Sequence, residues 1–136
     1  MRVLILMTTP LNTDLLSKYQ QFVADGYSNP SATTEMKLMN AALGLMGEAG
    51  EVADLIKKKL KIMQDSEHLT IEDTLVKWEQ QERFTEEIGD VIWYCVHLCS
   101  ILGIDFQDVI VGNYEKLSKR YKNVYGGKDY GITRHR

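Results

Sequence analysis

The chain is nearly devoid of proline, and this absence sets the first expectation about its fold. Only Pro10 and Pro30 occur in 136 residues, and proline is the residue that most strongly interrupts a helix interior. Apolar residues recur every three or four positions over most of the sequence, which is the spacing of one face of an α-helix. We therefore predict a single all-α domain, residues 1–136 with a core at about 12–127, built as an antiparallel bundle of about four main helices.

Other features that mark particular classes of protein are also scarce. With only Cys95 and Cys99 present, a disulfide-stabilised scaffold is excluded. A net charge of −3 provides no broad basic surface for nucleic acid. The apolar run at residues 3–7 is too short for a signal-peptide core or a membrane span. We expect a cytoplasmic protein whose partners include neither nucleic acid nor a membrane.

Capping and stop signals place the helices along the chain. Thr70 with Asp73 three residues later, and Asp105, have the chemistry of N-caps. Gly103 and the pair Gly126-Gly127 are placed to end helices, because glycine is favoured just past a helix end. The predicted helices are 12 or 13 to 25, 34–61, 70–102 (either continuous or broken near 80–83) and 106–125. Residues 1–10 are predicted to form a short strand or an ordered arm.

Three of the predicted helices carry a stripe of apolar residues that we expect to face the core. Steps of three and four keep the members of a stripe on one side of a helix. The stripes are Leu15, Leu16, Tyr19, Phe22 and Val23 in the first helix; Leu38, Ala42, Leu45, Ala49, Val52, Ile56 and Leu60 in the second; and Phe84, Ile88, Val91, Cys95, Leu98 and Leu102 in the third.

Two acidic sequences are the strongest functional signal. The first is Gly47-Glu48-Ala49-Gly50-Glu51 and the second is Glu86-Glu87-Ile88-Gly89-Asp90. Each places two carboxylates three residues apart, on one edge of a helix face and beside an apolar stripe. One such pair alone is usually a solvated surface, but two pairs beside an inward-facing seam need a cation or protons. Oxygen ligands from two helices suit a hard divalent cation, which suggests phosphate chemistry.

Glycines interrupt the same two helices. Gly44, Gly47 and Gly50 lie in the interior of the second helix, and Gly89 lies inside the second acidic sequence. Each glycine in a helix interior costs about 1 kcal/mol relative to alanine. We therefore expect another backbone or a ligand to approach closely at these positions.

The fourth predicted helix carries an amide and two cations on one face. Asn113, Lys116 and Arg120 follow at steps of three and four and could bind phosphate oxygens. The alternative is that the two cations simply extend into water. Tyr94, one turn after Asp90, is placed either to stack on a base or ribose or to pack in the core.

Three blocks of this sequence, in this order, resemble the MazG-like nucleotide pyrophosphohydrolases. They are Leu43-Gly44-Leu45-Met46-Gly47-Glu48-Ala49-Gly50-Glu51-Val52, then Glu86-Glu87-Ile88-Gly89-Asp90-Val91-Ile92-Trp93-Tyr94, then Asn113-Tyr114-Glu115-Lys116-Leu117 with Arg120-Tyr121. The resemblance covers about Tyr19 to Gly127. It implies an all-α bundle that holds Mg²⁺ on its acidic blocks. It also implies hydrolysis of nucleoside triphosphates to the monophosphate and pyrophosphate, usually by a dimer or tetramer.

The resemblance also implies roles for individual residues. It makes catalytic metal ligands of Glu48, Glu51, Glu87 and Asp90, triphosphate ligands of Asn113, Lys116 and Arg120, and a base contact of Tyr94. Two departures stand out: Gly47 replaces the first acid of a glutamate pair that is often present, and the segment between the acidic blocks is longer than is usual. Because that segment helps to shape the nucleotide pocket, the preferred substrate does not follow from the resemblance.

We therefore expect a Mg²⁺-dependent enzyme, with Mn²⁺ as a possible substitute, that hydrolyses a nucleoside triphosphate. The expected substrate is a deoxynucleotide, and the expected role is nucleotide-pool housecleaning. Two alternatives stay open: hydrolysis of phosphoribosyl-ATP, and a non-enzymatic helical interaction or regulatory module that keeps the fold. Ile92, Trp93 and Val96 lie beside the main stripe of the third helix and predict at least a homodimer, or a homotetramer, with that helix in the interface.

Overall fold

The computed structural model describes residues 13–27, 29–70, 72–73, 78–122 and 128–133. Within these residues the chain forms four α-helices and no strand, which confirms the predicted all-α class. The helices are α1 (Thr13–Gly26), α2 (Thr34–Gln64), α3 (Trp78–Leu102) and α4 (Phe106–Arg120). The predictions made for residues 1–10 and for the glycine stop at 126–127 lie outside the described residues.

The helix ends follow from local hydrogen bonds. Gln107 N donates to Asp105 Oδ1 at 2.8 Å, so the predicted cap of α4 is confirmed. Gly103 has a φ of 67°, a conformation that glycine adopts without steric cost just after α3. Thr70 and Asp73 form reciprocal bonds, from Thr70 N to Asp73 Oδ2 at 3.0 Å and from Asp73 N to Thr70 Oγ1 at 3.2 Å. Residues 72–73, directly in this cap, are already helical in the π form, and the α-helical residues of α3 are described from Trp78.

The boundaries of α2 and α4 differ from the predicted ones. α2 continues to Gln64, beyond the predicted end at Lys61. α4 ends at Arg120, before the predicted end at Tyr125, and Tyr121 N donates to Leu117 O at 2.8 Å as the closing bond. Helix ends are set by competition between the last backbone bonds and local alternatives, so they are the least predictable part of an element.

α3 is the central helix and runs antiparallel to α2. Gly44 of α2 lies against Tyr94 of α3. Lys37, which comes earlier in α2, is close enough for its charge to lower the pKa of His97, which comes later in α3. α3 also contacts α1 and, near the turn, α4. The chain bends by 107° between α3 and α4, and no Cα atom of α4 lies within 8 Å of one in α2 among the described residues. The predicted antiparallel packing therefore holds for α2 and α3 but not for α4.

Two heptad-spaced seams run along α2, about 100° apart around the helix. The inner seam faces α3 and consists of Leu38, Ala41, Leu45, Glu48, Val52, Leu55 and Lys59, all buried or half-buried. The outer seam consists of Met39, Ala42, Met46, Ala49, Ala53, Ile56 and Leu60, all exposed. The predicted stripe mixed the two seams and was wrong at Ala42, Ala49, Ile56 and Leu60, because both seams have helical periodicity and the spacing alone does not choose between them.

The chain buries few large side chains of its own. Its buried apolar residues among those described are Val23, Ala41, Leu55, Val96, Cys99 and Val111. The predictions that Leu15 and Phe22 of α1 and Ile88 and Leu102 of α3 face the core were wrong, since all four are exposed. No Cα atom of α1 lies within 8 Å of one in α2 among the described residues, so in that part of the chain these two helices do not cover each other.

No single helix among the described residues is long and apolar enough to cross a membrane. The pair α3 and α4 meets the length and composition requirements only when the two helices are joined across their 107° bend.

His97 is a buried polar residue in α3 with an unusual environment. It is 3% exposed, and neither ring nitrogen has a hydrogen-bond partner among the described residues. Its ring lies between Tyr27, at a centroid distance of 4.3 Å, and Trp93, at 5.2 Å. Burial, and then the charge of Lys37, lower its pKa from the ordinary value of 6.5. The neutral ring is therefore the form that the fold accepts.

This environment predicts an acid-sensitive stability. The pKa of His97 is lower in the folded than in the unfolded chain. The contribution of the neutral ring to the free energy of unfolding is therefore complete above about pH 6.5, and it is lost as the pH falls through the pKa of the folded chain. Each unit of lowering corresponds to about 1.4 kcal/mol. Urea unfolding at pH 7.5, 6.5 and 5.5 should show a steeper loss for the wild type than for His97→Phe. Exposed His68 provides the control, and His68→Phe should lose stability like the wild type; equal pH dependence of all three proteins would contradict the prediction.

Candidate metal centre

Three of the four predicted carboxylates meet between α2 and α3. Glu48, Glu87 and Asp90 each offer an oxygen atom, and these atoms all lie within 4.8 Å of one another. Glu48 occupies a position in the inner seam of α2, so its side chain is directed at α3. Glu87 and Asp90 are three residues apart and share one edge of α3. The antiparallel packing of the two helices therefore creates the cluster.

The electrostatics of this cluster favour a cation. Partial burial, followed by the charges of Asp90, Glu87 and Glu51, raises the pKa of Glu48 above its ordinary value of 4.5. The carboxylates thus repel one another in the absence of a counter-ion. An all-oxygen set of donors with this charge fits a hard divalent cation such as Mg²⁺ or Mn²⁺. Three ligands from the protein leave positions open for water and for phosphate oxygens.

Glu51 lies outside this group. It is exposed and lies one turn further along α2, and its charge is the smallest of the influences that raise the pKa of Glu48. The pKa of Lys58 is raised by its bond to Asp54 and, to a smaller extent, by the charge of Glu51. Glu51 therefore belongs to a charged rim next to the cluster, and its role as a ligand stays a prediction.

The residues predicted to bind the triphosphate are not brought to the cluster. Asn113, Lys116 and Arg120 are all exposed on α4. Among the described residues, no Cα atom of α4 lies within 8 Å of one in α2, and neither Lys116 nor Arg120 forms an ion pair with Glu48. The sequence contained no sign of this separation, because the spacing within α4 says nothing about the bend before it.

Tyr94 lies half-buried on α2 at a glycine. A Cβ atom added at Gly44 would overlap the Tyr94 ring, so a close approach does occur at this position, but it is made by a side chain and not by the backbone or ligand that was predicted. The Tyr94 ring also packs edge-on against Trp93, with centroids 4.9 Å apart. At Gly47, Gly50 and Gly89, in contrast, an added Cβ would meet nothing within 4 Å among the described residues. The close approach expected at these three glycines is therefore not made within the chain.

Tyr19 is a neighbour of the centre that the sequence did not reveal as functional. Burial, and then the charge of Asp90, raise the pKa of its hydroxyl group. The sequence placed Tyr19 in an apolar stripe of α1, and only the packing of α1 on α3 brings it within reach of the charge of Asp90. Its phenol is a hydrogen-bond donor at the edge of the acidic cluster.

Comparison with known proteins identifies relatives of this chain. The sequence pattern of the MazG nucleotide pyrophosphohydrolase domain matches residues 37–125. The chain is 34% identical over 95 residues to the "Gene 37 protein" of Mycobacterium phage L5. The aligned region covers 70% of this chain and 69% of the phage protein. It is also 34% identical over 79 residues to the "Uncharacterized protein YvdC" of Bacillus subtilis (strain 168), covering 58% of this chain and 71% of that protein. No solved structure matches.

The acidic cluster predicts a specific response to metal. If the cation binds the folded chain alone, it stabilises the fold by about 2.7 kcal/mol at a hundredfold excess over its Kd. Glu48→Gln and Asp90→Asn each remove one repelling charge, so both variants should melt at or above the wild-type temperature in EDTA and gain little from Mg²⁺. The exposed neighbour Glu86 supplies a control with the same change of charge, since Glu86→Gln should keep the full response. If Mg²⁺ raised all four melting temperatures equally, these carboxylates would not be its ligands.

Proposed function

Since the chain belongs to the MazG nucleotide pyrophosphohydrolase family, we propose that it hydrolyses a nucleoside triphosphate to the monophosphate and pyrophosphate. The proposed substrate is a deoxynucleotide, and the proposed role is housecleaning of the cytoplasmic nucleotide pool. The observation that carries this proposal is the meeting of Glu48, Glu87 and Asp90 between α2 and α3. Such a cluster supports chemistry on a polyanionic substrate, since a divalent cation held by the three carboxylates would offset most of their negative charge and could itself bind phosphate oxygens.

Each residue of the centre has a proposed task. Glu48, Glu87 and Asp90 hold a Mg²⁺ or Mn²⁺ ion, and Glu51 supplies a fourth carboxylate from the rim. The bound cation would neutralise the phosphates and lower the pKa of a coordinated water. One carboxylate of this group orients the attacking water and accepts its proton. The Tyr19 hydroxyl, near Asp90, is available to donate a hydrogen bond to substrate or water.

The triphosphate also needs positive groups that the centre lacks within one chain. We propose Asn113, Lys116 and Arg120 for this task, with Lys116 and Arg120 stabilising the charge that develops on the pyrophosphate leaving group. Because no Cα atom of α4 lies within 8 Å of one in α2 among the described residues, we propose that the α4 helix of a second copy of the chain supplies these groups. Tyr94, next to the cluster, remains the proposed contact for the base.

The outer seam of α2 supports such an assembly. Met39 and Met46 in this seam are 65% and 73% exposed, and the seam keeps its heptad spacing from Met39 to Leu60. Apolar residues with this spacing are typical of helices that pair with another helix. We propose a homodimer or a homotetramer in which the outer seam is covered. On α3, Ile92 is 41% exposed and can take part, whereas Val96 is fully buried within the chain.

Product analysis tests the proposed reaction most directly. The protein is incubated with a panel of NTPs, dNTPs and phosphoribosyl-ATP in Mg²⁺, and the products are separated by ion-exchange chromatography. We expect nucleoside monophosphate and pyrophosphate from at least one deoxynucleotide, with activity reduced at least about a hundredfold in Glu48→Gln. The exposed control Glu86→Gln should remain active.

Other outcomes of this assay have clear meanings. Release of a nucleoside diphosphate and orthophosphate would contradict the proposal. A strong preference for phosphoribosyl-ATP over every deoxynucleotide would favour the alternative substrate. No turnover of any compound would favour a non-enzymatic interaction module.

A charge placed in the outer seam should separate the copies. Met46→Glu places a carboxylate at the most exposed large apolar position among those described, where pairing would bury it. Light scattering at micromolar concentration should give at least twice the chain mass for the wild type and a lower mass for this variant. Gln64→Glu adds the same charge to an exposed position at the end of α2 and should keep the wild-type mass. A wild type with the mass of one chain would contradict the proposed assembly.

A further inference from the structure

A cleft lies on α4, apart from the acidic centre. It has a volume of about 260 Å³, and three lysines, three hydroxyl groups and one carboxylate line it. The lining residues used below are Tyr114, Ser118, Lys119, Lys122, Lys128 and Tyr130. They come from the last turns of α4, from the turn just after it and from the segment 128–133.

The segment 128–133 is held against α4 by defined contacts. Tyr130 N donates to Tyr114 Oη at 3.3 Å, and the two rings pack edge-on with centroids 6.4 Å apart. Gly131, at a φ of 68°, donates from its N atom to Asp129 Oδ1 at 2.8 Å. Lys128 Nζ lies 5.3 Å from the centre of the Tyr130 ring. These contacts place Lys128 beside the lysines of α4.

The positive charges of this cleft have no carboxylate partners. Among the described residues, no carboxylate lies within ion-pair distance of Lys119, Lys122 or Lys128. Asp129, which also lines the cleft, accepts hydrogen bonds from Gly131 N and, at 3.5 Å, from Tyr114 Oη. The negative end of α4 accounts for a lysine in its last turn but not for Lys128, which comes from another segment.

The cleft differs from the residues proposed above for the triphosphate. Lys116 and Arg120 follow Tyr114 and Ser118 by two positions each, and two residues rotate a helix by about 200°. They therefore project away from Tyr114 and Ser118, although Lys119 of the cleft lies one turn after Lys116. The cleft is a second positively charged region, in a chain whose net charge is −3.

We propose that this cleft binds a phosphate anion of about the size of inorganic pyrophosphate. Ammonium and hydroxyl groups donate charge-assisted hydrogen bonds to phosphate oxygens. The cleft is smaller than the roughly 300–1,000 Å³ of pockets that enclose whole organic ligands, which favours a small anion. The same chemistry recognises either free pyrophosphate or the phosphate tail of a nucleotide. It requires neither the acidic centre nor a metal ion.

Calorimetry in EDTA tests this site on the intact protein. Pyrophosphate is titrated into the wild type, Lys119→Ala/Lys122→Ala, Lys128→Ala and the control Lys57→Ala/Lys61→Ala, which removes two exposed charges from α2. We expect the Kd for pyrophosphate to rise at least about tenfold in Lys119→Ala/Lys122→Ala and by a smaller factor in Lys128→Ala. The control should bind like the wild type. A parallel titration with an α,β-methylene nucleoside triphosphate shows whether free pyrophosphate or a nucleotide tail binds more tightly.

Two results would overturn the site: no saturable binding of either compound to the wild type at millimolar concentration, or equal weakening in the control, which would indicate only a general effect of charge. Glu48→Gln should bind pyrophosphate like the wild type in EDTA. A protein without hydrolytic activity that still binds pyrophosphate through these lysines would therefore contradict the proposed function and leave this site intact.

Discussion

The packing of α3 against α2 is the interaction on which the rest of the structure depends. It brings Glu48 of the inner seam to Glu87 and Asp90, and it places the Tyr94 ring on Gly44 one turn away. Partial burial first, and then the charges of the neighbouring carboxylates, raise the pKa of Glu48, so this packing works against both desolvation and repulsion of its charged form. The apolar positions on either side of Glu48 in the inner seam hold the helices together in spite of it, so the fold maintains a site that a cation can relieve.

The same helix that builds the site also leaves it incomplete. One seam of α2 is used by α3, whereas the second seam is apolar, regularly spaced and exposed. The bend of 107° after α3 carries the cations of α4 away from the acids. In the proposed assembly, pairing would cover this seam and would also bring the proposed triphosphate ligands to the acids. Assembly and catalysis would then be linked through α2.

Much of the centre could be predicted from the sequence, because local spacing determines it. Glu87 and Asp90 share an edge of a helix through the geometry of the helix alone, and the clash that a side chain at Gly44 would cause explains why glycine occupies that interior position. The burial of His97 between Tyr27 and Trp93 was not predictable, since it depends on how the α1–α2 connection packs. The isolation of Asn113 from the acids was equally hidden, because the turn around Gly103 determines the direction of α4.

The central claim is that carboxylates from α2 and α3 hold one divalent cation. Paramagnetic Mn²⁺, added in substoichiometric amounts to protein labelled with ¹³C, broadens the resonances of the carboxyl carbons nearest to it. The account predicts that Glu48, Glu87 and Asp90 broaden first, that exposed Glu86 is affected less, and that excess Mg²⁺ restores all the signals. Broadening that is strongest at carboxylates outside α2 and α3, or that Mg²⁺ does not reverse, would contradict the claim.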